Sequence, residues 1–442
     1  NTYNTAVGVD AGLQVTTGVQ NTIVGGLAGD SLTVGQNNVA MGVAALSSDV
    51  GGSRSVAIGR GALETQNMGT TDTNSHNTAV GYGSGAAVTT ALENTFVGAF
   101  AGDALNTGGF NTALGYATLS NDQKGAKNVA IGHGALNVQQ FTTATDSYNV
   151  AVGFAAGISV TTGTNNTIVG GLAGDAITTA IGSVAMGQGA LGALQTGNSN
   201  VAIGYGAGES MNGVSANTAV GGSALDGVCG GSNTAIGSSS MGSTNSTSAT
   251  NNTCVGNASG FDVSSGTNNL LLGKDSGRSG SPGGSVGTAS NHIVLGDENI
   301  TSANVQVDWG IASDERDKTD FSDLNIGLDF VKALEPVTYY WDKRSKYGDK
   351  NAEDYDLAAQ TPDGTHKEDW MDVGFKAQSV STLEEAAGYD LASKKNLTVS
   401  VTEDGKQYSL QYSKFVPILV KAIQDQDEII QSLTARIAAL ES

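Results

Sequence analysis

Proline is scarce in this chain of 442 residues, which has only 4, and so are cysteine, with 2, and aromatic residues, at 6%. Two cysteines cannot build a disulfide framework, so Cys229 and Cys254 are expected to be small buried thiols. Charged residues reach 14%, and positive charge is the scarcer sign: 21 Lys and Arg stand against 42 Asp and Glu, a formal net charge of -21. The excess is acidic in both parts, with 17 acidic and 6 basic side chains in residues 1–308 and 25 and 15 in residues 309–442. Phosphate binding needs clustered cations, so nucleic acid is not an expected partner. No apolar run is long enough to span a bilayer and no signal peptide is visible, so membrane insertion is not expected either. The first residue is Asn and lies almost inside a repeat, which leads us to expect an attachment region ahead of it.

What is abundant is glycine, 63 residues, without the G-X-Y period of collagen. The pentapeptide Asn-Thr-Ala-Val-Gly at residues 4–8 returns at Asn21, Asn38, Ser55, Asn77, Asn94, Asn111, Asn128, Asn149, Asn166, Ser183, Asn200, Asn217, Asn233, Asn252, Asn269 and His292. That makes 17 copies, most of them 17 residues apart, and the first twelve fall into blocks of four. Longer steps of 22, 21 and 23 residues lead into Asn77, Asn149 and His292. Such a period marks a solenoid.

The second position of a copy is Thr, Val or Ile except at Leu270, which favours a strand. The fourth is always large and aliphatic, as in Val7, Met41, Ile58, Leu114 and Ile203. Alternation puts positions two and four on one face, expected to point into the coil, with the mostly Ala third position facing outward. The invariant Gly at position five fits a corner with φ > 0. The opening Asn or Ser is expected to form a side-chain ladder along the fibre rather than to bind sugar or metal. At roughly 4.8 Å per coil, the 17 coils give a rod of about 80 Å. So thin a roll invites packing of its Ala face against identical chains around an axis.

Ser55-Val56-Ala57-Ile58-Gly59 and Asn128-Val129-Ala130-Ile131-Gly132 resemble the repeat in the β-roll heads of trimeric autotransporter adhesins, which has a shorter period. The resemblance implies a mainly β, trimeric parallel β-solenoid over residues 1–300. Polysaccharide hydrolysis would need a carboxylate pair in a groove, and it is not expected because the sparse acids of the repeats read as recurring at no fixed position.

After Asn299 the texture changes. Residues 305–310 read as a last strand, Phe321 to Leu334 has helical spacing, and Val337 to Trp341 is a strand candidate. Residues 343–367 read as an acidic loop, Asp372 to Gln378 leads into a helix through Leu383 to Ala387, and Glu403-Asp404-Gly405-Lys406 reads as a hairpin turn. Val416, Ile423, Ile430 and Ile437 alternate with Leu419, Gln426, Leu433 and Leu440 in a seven-residue pattern, the mark of a coiled coil over 416–442. Ile and Leu in this arrangement favour two strands in model peptides, but a three-chain roll upstream must set the stoichiometry. The octapeptide Ile311-Ala312-Ser313-Asp314-Glu315-Arg316-Asp317-Lys318 stands at the junction and places a serine and a lysine, a possible nucleophile and base, five residues apart.

Ser313-Asp314 with Arg316 and Lys318, Leu334-Glu335-Pro336-Val337 before Tyr340-Trp341, Gly374-Phe375 with Ala377-Gln378, and Tyr412-Ser413 before Pro417 resemble the intramolecular chaperone domain of endosialidase-type phage tailspikes and tail fibres. Ser379 departs from the acidic residue expected after Ala-Gln. The resemblance implies a small α+β chaperone and autopeptidase over 313–415, behind a junction at 301–312. It implies that chains trimerise and then cut themselves at Ala312-Ser313, with Ser313 as nucleophile and Lys318 as base, without cofactor or metal. Five residues along an α-helix put side chains about 500° apart, so a bent turn is expected, with a lysine made neutral by burial. A virion fibre with a host-surface receptor, glycan or outer-membrane component, is implied; it would be assembled in host cytoplasm and joined to tail proteins through the expected attachment region. The alternatives are an adhesin-like extracellular fibre and a tailspike that degrades polysaccharide.

Overall fold

The computed structural model describes residues 2–243, 248–307, 309–349, 352, 355–402 and 404–442. The chain divides into two compact units: Asn1–Asp275 with Gly287–Ile293, and Ser276–Val286 with Val294–Ser442.

The first unit is a parallel β-solenoid. Each pentapeptide contributes one three-residue strand, such as Val56–Ile58 or Val129–Ile131, to a 17-stranded sheet. Register is strict: Val129, Ala130 and Ile131 pair with Thr112, Ala113 and Leu114 on one side and with Val150, Ala151 and Val152 on the other. Every pentapeptide Gly takes positive φ, from +77° at Gly296 to +143° at Gly153, as the corner requires. The opening Asn residues, from Asn21 to Asn269, are buried. Asn149 donates through Nδ2 to the Gly163 carbonyl (2.8 Å) and accepts through Oδ1 from the Asn166 N–H (3.0 Å); Asn166 repeats this with Ala180 and Ser183. The ladder satisfies main-chain groups at turns that have no strand partner.

The two faces are the reverse of the sequence expectation. Ala57, Ala79, Ala113, Ala130, Ala151 and Ala202 are fully buried, whereas the position-four residues Met41, Leu114, Ile203 and Ile236 are each about 40% exposed. Alternation dictates which residues share a face but not which face is inside, and the opposite wall of the coil decides it. That wall is built from Ala-Leu pairs, Ala45-Leu46, Ala62-Leu63, Ala135-Leu136 and Ala190-Leu191, all buried. A leucine there leaves room for a methyl opposite and no more.

Where the inward residue is large, glycine makes the space. A Cβ on Gly85 or Gly102 would approach the Phe96 ring to 2.9 and 2.6 Å, and one on Gly157 would approach Ile168 Cδ1 to 2.8 Å. Ile23, Phe96 and Ile168 lie 73 and 72 residues apart. The four-copy block is therefore a packing period, with one large inward side chain per block. The long coils carry a second device: Asp49 accepts from Gln66 Nε2 (2.7 Å) and Asp122 from Gln139 Nε2 (2.6 Å), all buried, while both carboxylates also accept main-chain N–H groups. Cys229 and Cys254 are free and buried, and burial pushes both thiols up to about 12.

The second unit packs three helices, α1 (Leu328–Ala333), α2 (Ala377–Ala386) and α3 (Phe415–Glu441), around Ile326, Phe330, Val380, Val399, Phe415 and Ile418. Val337–Tyr339 pairs antiparallel with Asp372–Gly374, and Val399–Val401 with Tyr408–Leu410. Of the expected hairpin turn, Glu403 lies outside the described residues. Two expectations are corrected. The helix expected from Phe321 starts at Leu328, because Asp425 of α3 accepts the Leu328 N–H (3.0 Å) and caps it there. No strand forms among the described residues of 305–310, and Asp308 lies outside them; Val305, Val307 and Trp309 are exposed.

Helix α3 has two apolar faces. Phe415, Ile418 and Ala422 are buried, whereas the heptad residues Val416, Leu419, Ile423, Ile430, Leu433 and Ile437 are all exposed in the single chain.

Candidate functional site

The junction octapeptide folds into a short 3-10 turn, Glu315–Asp317. Asp314 caps it, its carboxylate accepting from the Arg316 N–H at 2.9 Å. The Arg316 side chain folds back on the same carboxylate, Nε to Oδ1 at 3.0 Å and Nη2 to Oδ2 at 2.6 Å. This two-pronged contact holds the Asp314 carboxyl below its ordinary range. The pair is exposed, so its worth lies in shaping the turn more than in net stability.

The turn ends when the Lys318 N–H donates to the Glu315 carbonyl (3.1 Å), and Lys318 continues with extended φ of -121°. Its side chain therefore runs back across the turn, and Nζ donates to Ser313 Oγ at 2.5 Å and to the Ser313 carbonyl at 3.3 Å. A bent turn thus joins two residues that an α-helix would separate. The expected burial of the lysine is not supplied by this chain, since Ser313 and Lys318 are both exposed.

The other sequence landmarks meet one another within the second unit. Phe375 stacks on Tyr412 (6.2 Å) and Phe415 (5.4 Å), and its N–H donates to Tyr412 Oη at 3.1 Å. A Cβ on Gly374 would lie 2.4 Å from that oxygen, which is why glycine precedes Phe375. Asp372 accepts from Tyr339 Oη (3.3 Å) and Trp341 Nε1 (3.2 Å). Burial, then the Asp372 charge, pushes the Tyr339 hydroxyl up to about 12. A cavity of about 800 Å³ opens beside these residues, lined among others by Asp297, Tyr339, Trp341, Lys343 and Lys376. Ser313 and Lys318 do not line it.

One alignment in the solenoid escaped sequence reading. Asp30, Glu64, Asp103, Asp175, Glu209 and Asp226 each follow a corner Gly by five residues, so the acids do recur at a fixed position. Burial raises the Asp103, Asp175 and Asp226 carboxyls, with the Glu209 charge adding to the last. Among the described residues no group of three or more His, Cys, Asp or Glu is placed to hold a metal ion. No described helix is long and apolar enough to cross a membrane.

No curated protein and no solved structure matches the chain. Residues 313–389 match the family model of the chaperone of endosialidase, a family of self-cleaving chaperone domains, and the match begins at Ser313 itself. A parallel β-solenoid followed by a segment that matches the endosialidase chaperone family fits a tail fibre with a C-terminal chaperone domain.

Proposed function

We propose that the chain is a homotrimeric, receptor-binding phage tail fibre whose C-terminal domain directs assembly and then removes itself by cutting Ala312-Ser313. The observation that carries the cleavage reading is the 2.5 Å approach of Lys318 Nζ to Ser313 Oγ, at the residue where the family match begins.

In this reading Ser313 Oγ attacks the carbonyl carbon of Ala312 while neutral Lys318 takes the hydroxyl proton. The carbon–nitrogen bond breaks, the Ser313 nitrogen is protonated to the free amine, and Ala312 is held as an ester on Oγ. Water then hydrolyses the ester, leaving an Ala312 carboxylate and restoring the hydroxyl. Lysine acts as base only when desolvation lowers its affinity for the proton. Exposure of the dyad in one chain supports a switch: neighbouring chains bury Lys318 on assembly, so cleavage waits for the trimer.

Three copies would meet through surfaces left open in one. These are the heptad face of α3 and the position-four aliphatics of the solenoid, not its alanines. Registering thin coils from three chains is a non-local pairing problem with a large entropic barrier, which a prior trimer of the terminal domain lowers. Removal of that domain leaves the fibre kinetically locked. The solenoid is the host-binding part, with a glycan or outer-membrane receptor, and the virion is its location. The mass of the purified chain tests the proposal: the uncut chain is 44.4 kDa, and a species ending at Ala312 is expected. A chain that trimerises and keeps its full mass refutes self-cleavage.

A tailspike with hydrolase activity has one observation in its favour. Asp175 and Glu209 border a hollow of about 430 Å³ with Gln188 and Tyr205. Release of reducing ends from bacterial polysaccharide, abolished by Glu209→Gln, would decide for it.

A further inference from the structure

The residues just after the corner glycines form a column along the solenoid, and over six consecutive coils it holds Arg60, Tyr82, Ala99, Tyr116, His133 and Phe154, with Phe100, next to Ala99, supplying the ring of the third coil. Arg60 Nη1 donates to Tyr82 Oη at 2.9 Å and its guanidinium lies 5.6 Å from the ring centroid. Tyr82 meets Phe100 edge-on at 5.2 Å, and Phe100 meets Tyr116 at 6.0 Å. Tyr116, His133 and Phe154 continue as a stack at 5.2 and 5.4 Å. These rings are not core: Tyr82, Tyr116 and Phe154 are 48%, 51% and 60% exposed.

We propose that this ladder is a binding platform for a linear polysaccharide lying along the fibre, one pyranose unit per coil. The proposal rests on the receptor-binding reading above and places that function on Arg60, Tyr82, Phe100, Tyr116, His133 and Phe154. The first argument is spacing. Strand stacking sets one ring per coil at 5.2 to 6.0 Å, close to the rise of one sugar ring along an extended glycan. The polarised C–H groups of a pyranose face are attracted to the negative face of an aromatic ring, as cations are.

The second argument is locality. An interface between copies has to run the length of the solenoid, and the position-four aliphatics do so from Val7 to Leu272. The aromatic run stops at Phe154; the same column holds Gly171, Gln188, Gly222, Ser238 and Asn257 further on, broken by a single Tyr205. Assembly does not need it, and a large exposed aromatic patch on a soluble surface marks a binding site.

The third argument is polarity. The rings carry hydrogen-bonding groups at intervals, the Tyr82 and Tyr116 hydroxyls, the Arg60 guanidinium and the His133 imidazole, which suits a hydroxyl-rich ligand better than a lipid or an apolar protein surface.

The test uses the full chain on a microarray of purified bacterial capsular, O-antigen and exopolysaccharides, with sedimentation to report the trimer. The parent is expected to be retained on at least one polysaccharide. The Tyr116→Ser/Phe154→Ser double variant should bind it at least tenfold more weakly with an unchanged trimer, and Tyr205→Ser should bind like the parent. Equal binding by parent and double variant refutes the ladder while leaving the receptor reading intact. Loss of the trimer in the double variant refutes it too, making the ladder a contact between copies. A parent that binds no polysaccharide overturns it, and failure to adsorb to any bacterial cell would remove the receptor reading as well.

Discussion

Gly132 and Gly153 occupy the same corner in successive coils, and a Cβ on Gly132 would lie 2.3 Å from the Gly153 carbonyl oxygen. Its φ of +125° is outside the left-handed region that Asn or Asp can share, so conformation and space exclude a side chain independently. Gly132→Ala should therefore destabilise each chain by about 2 kcal/mol or more. Gly171, adjacent to the corner Gly170, has nothing within 4 Å of its Cβ position, and Gly171→Ala should change stability by less than about 0.5 kcal/mol. Thermal melts of the two variants that coincide would refute the corner. Gly125, in the variable part of its coil, is no neutral control, because a Cβ there would meet Asp122 Oδ2 at 1.9 Å.

The dyad is tested by chemistry that leaves the turn in place. Ser313→Ala removes the nucleophile, and Lys318→Arg keeps the charge and reach but cannot give up its proton at neutral pH. Both should trimerise and slow the appearance of the chain ending at Ala312 by a factor of about 100 or more. Intact-mass measurement over time reads this directly, and cleavage of either variant at the parent rate would remove the assignment.

A chain that ends at Ala312 from the start tests the chaperone role. Expressed alone it should aggregate or stay unassembled, whereas the same fragment made by cleavage should be a stable trimer. Equal yields of native trimer by both routes would show that residues 313–442 are not needed for assembly.

Acid should dismantle the two units in a set order. In the solenoid, burial raises Asp49, Asp103, Asp175 and Asp226. A raised carboxyl contributes stability that is present below its unfolded value and lost as pH rises through the folded one. In the second unit, Asp314, Asp356 and Asp425 are lowered by Arg316, Lys406 and Lys421, and Asp372 and Asp390 by hydrogen bonds from the Val373 N–H and from Ser393. Their contribution is present above the unfolded value of 3.8 and lost as pH falls through the folded ones. All three tryptophans, Trp309, Trp341 and Trp370, belong to the second unit, so their fluorescence reports it. On acidification below about pH 4, the tryptophan signal should change before the β-sheet circular dichroism. Loss of the solenoid first would contradict the carboxylate assignments.

The sequence by itself determined the period, the strand positions, the glycine corners and the asparagine ladder, because each repeats in nearly every coil and follows from backbone geometry at a single position. It also carried the chaperone landmarks and the heptad pattern of α3. Tertiary structure decided what depends on distant residues: the solenoid turned Ala57 inward and Ile58 outward because Leu63 fills the facing wall. Asp425, remote in sequence from α1, moved that helix's start from Phe321 to Leu328. The meeting of Lys318 with Ser313 needed an Asp314–Arg316 turn that residue spacing cannot specify, since the same five-residue step diverges on a helix. The ladder from Arg60 to Phe154 and the acids from Asp30 to Asp226 are scattered along the chain and become columns only when successive coils stack.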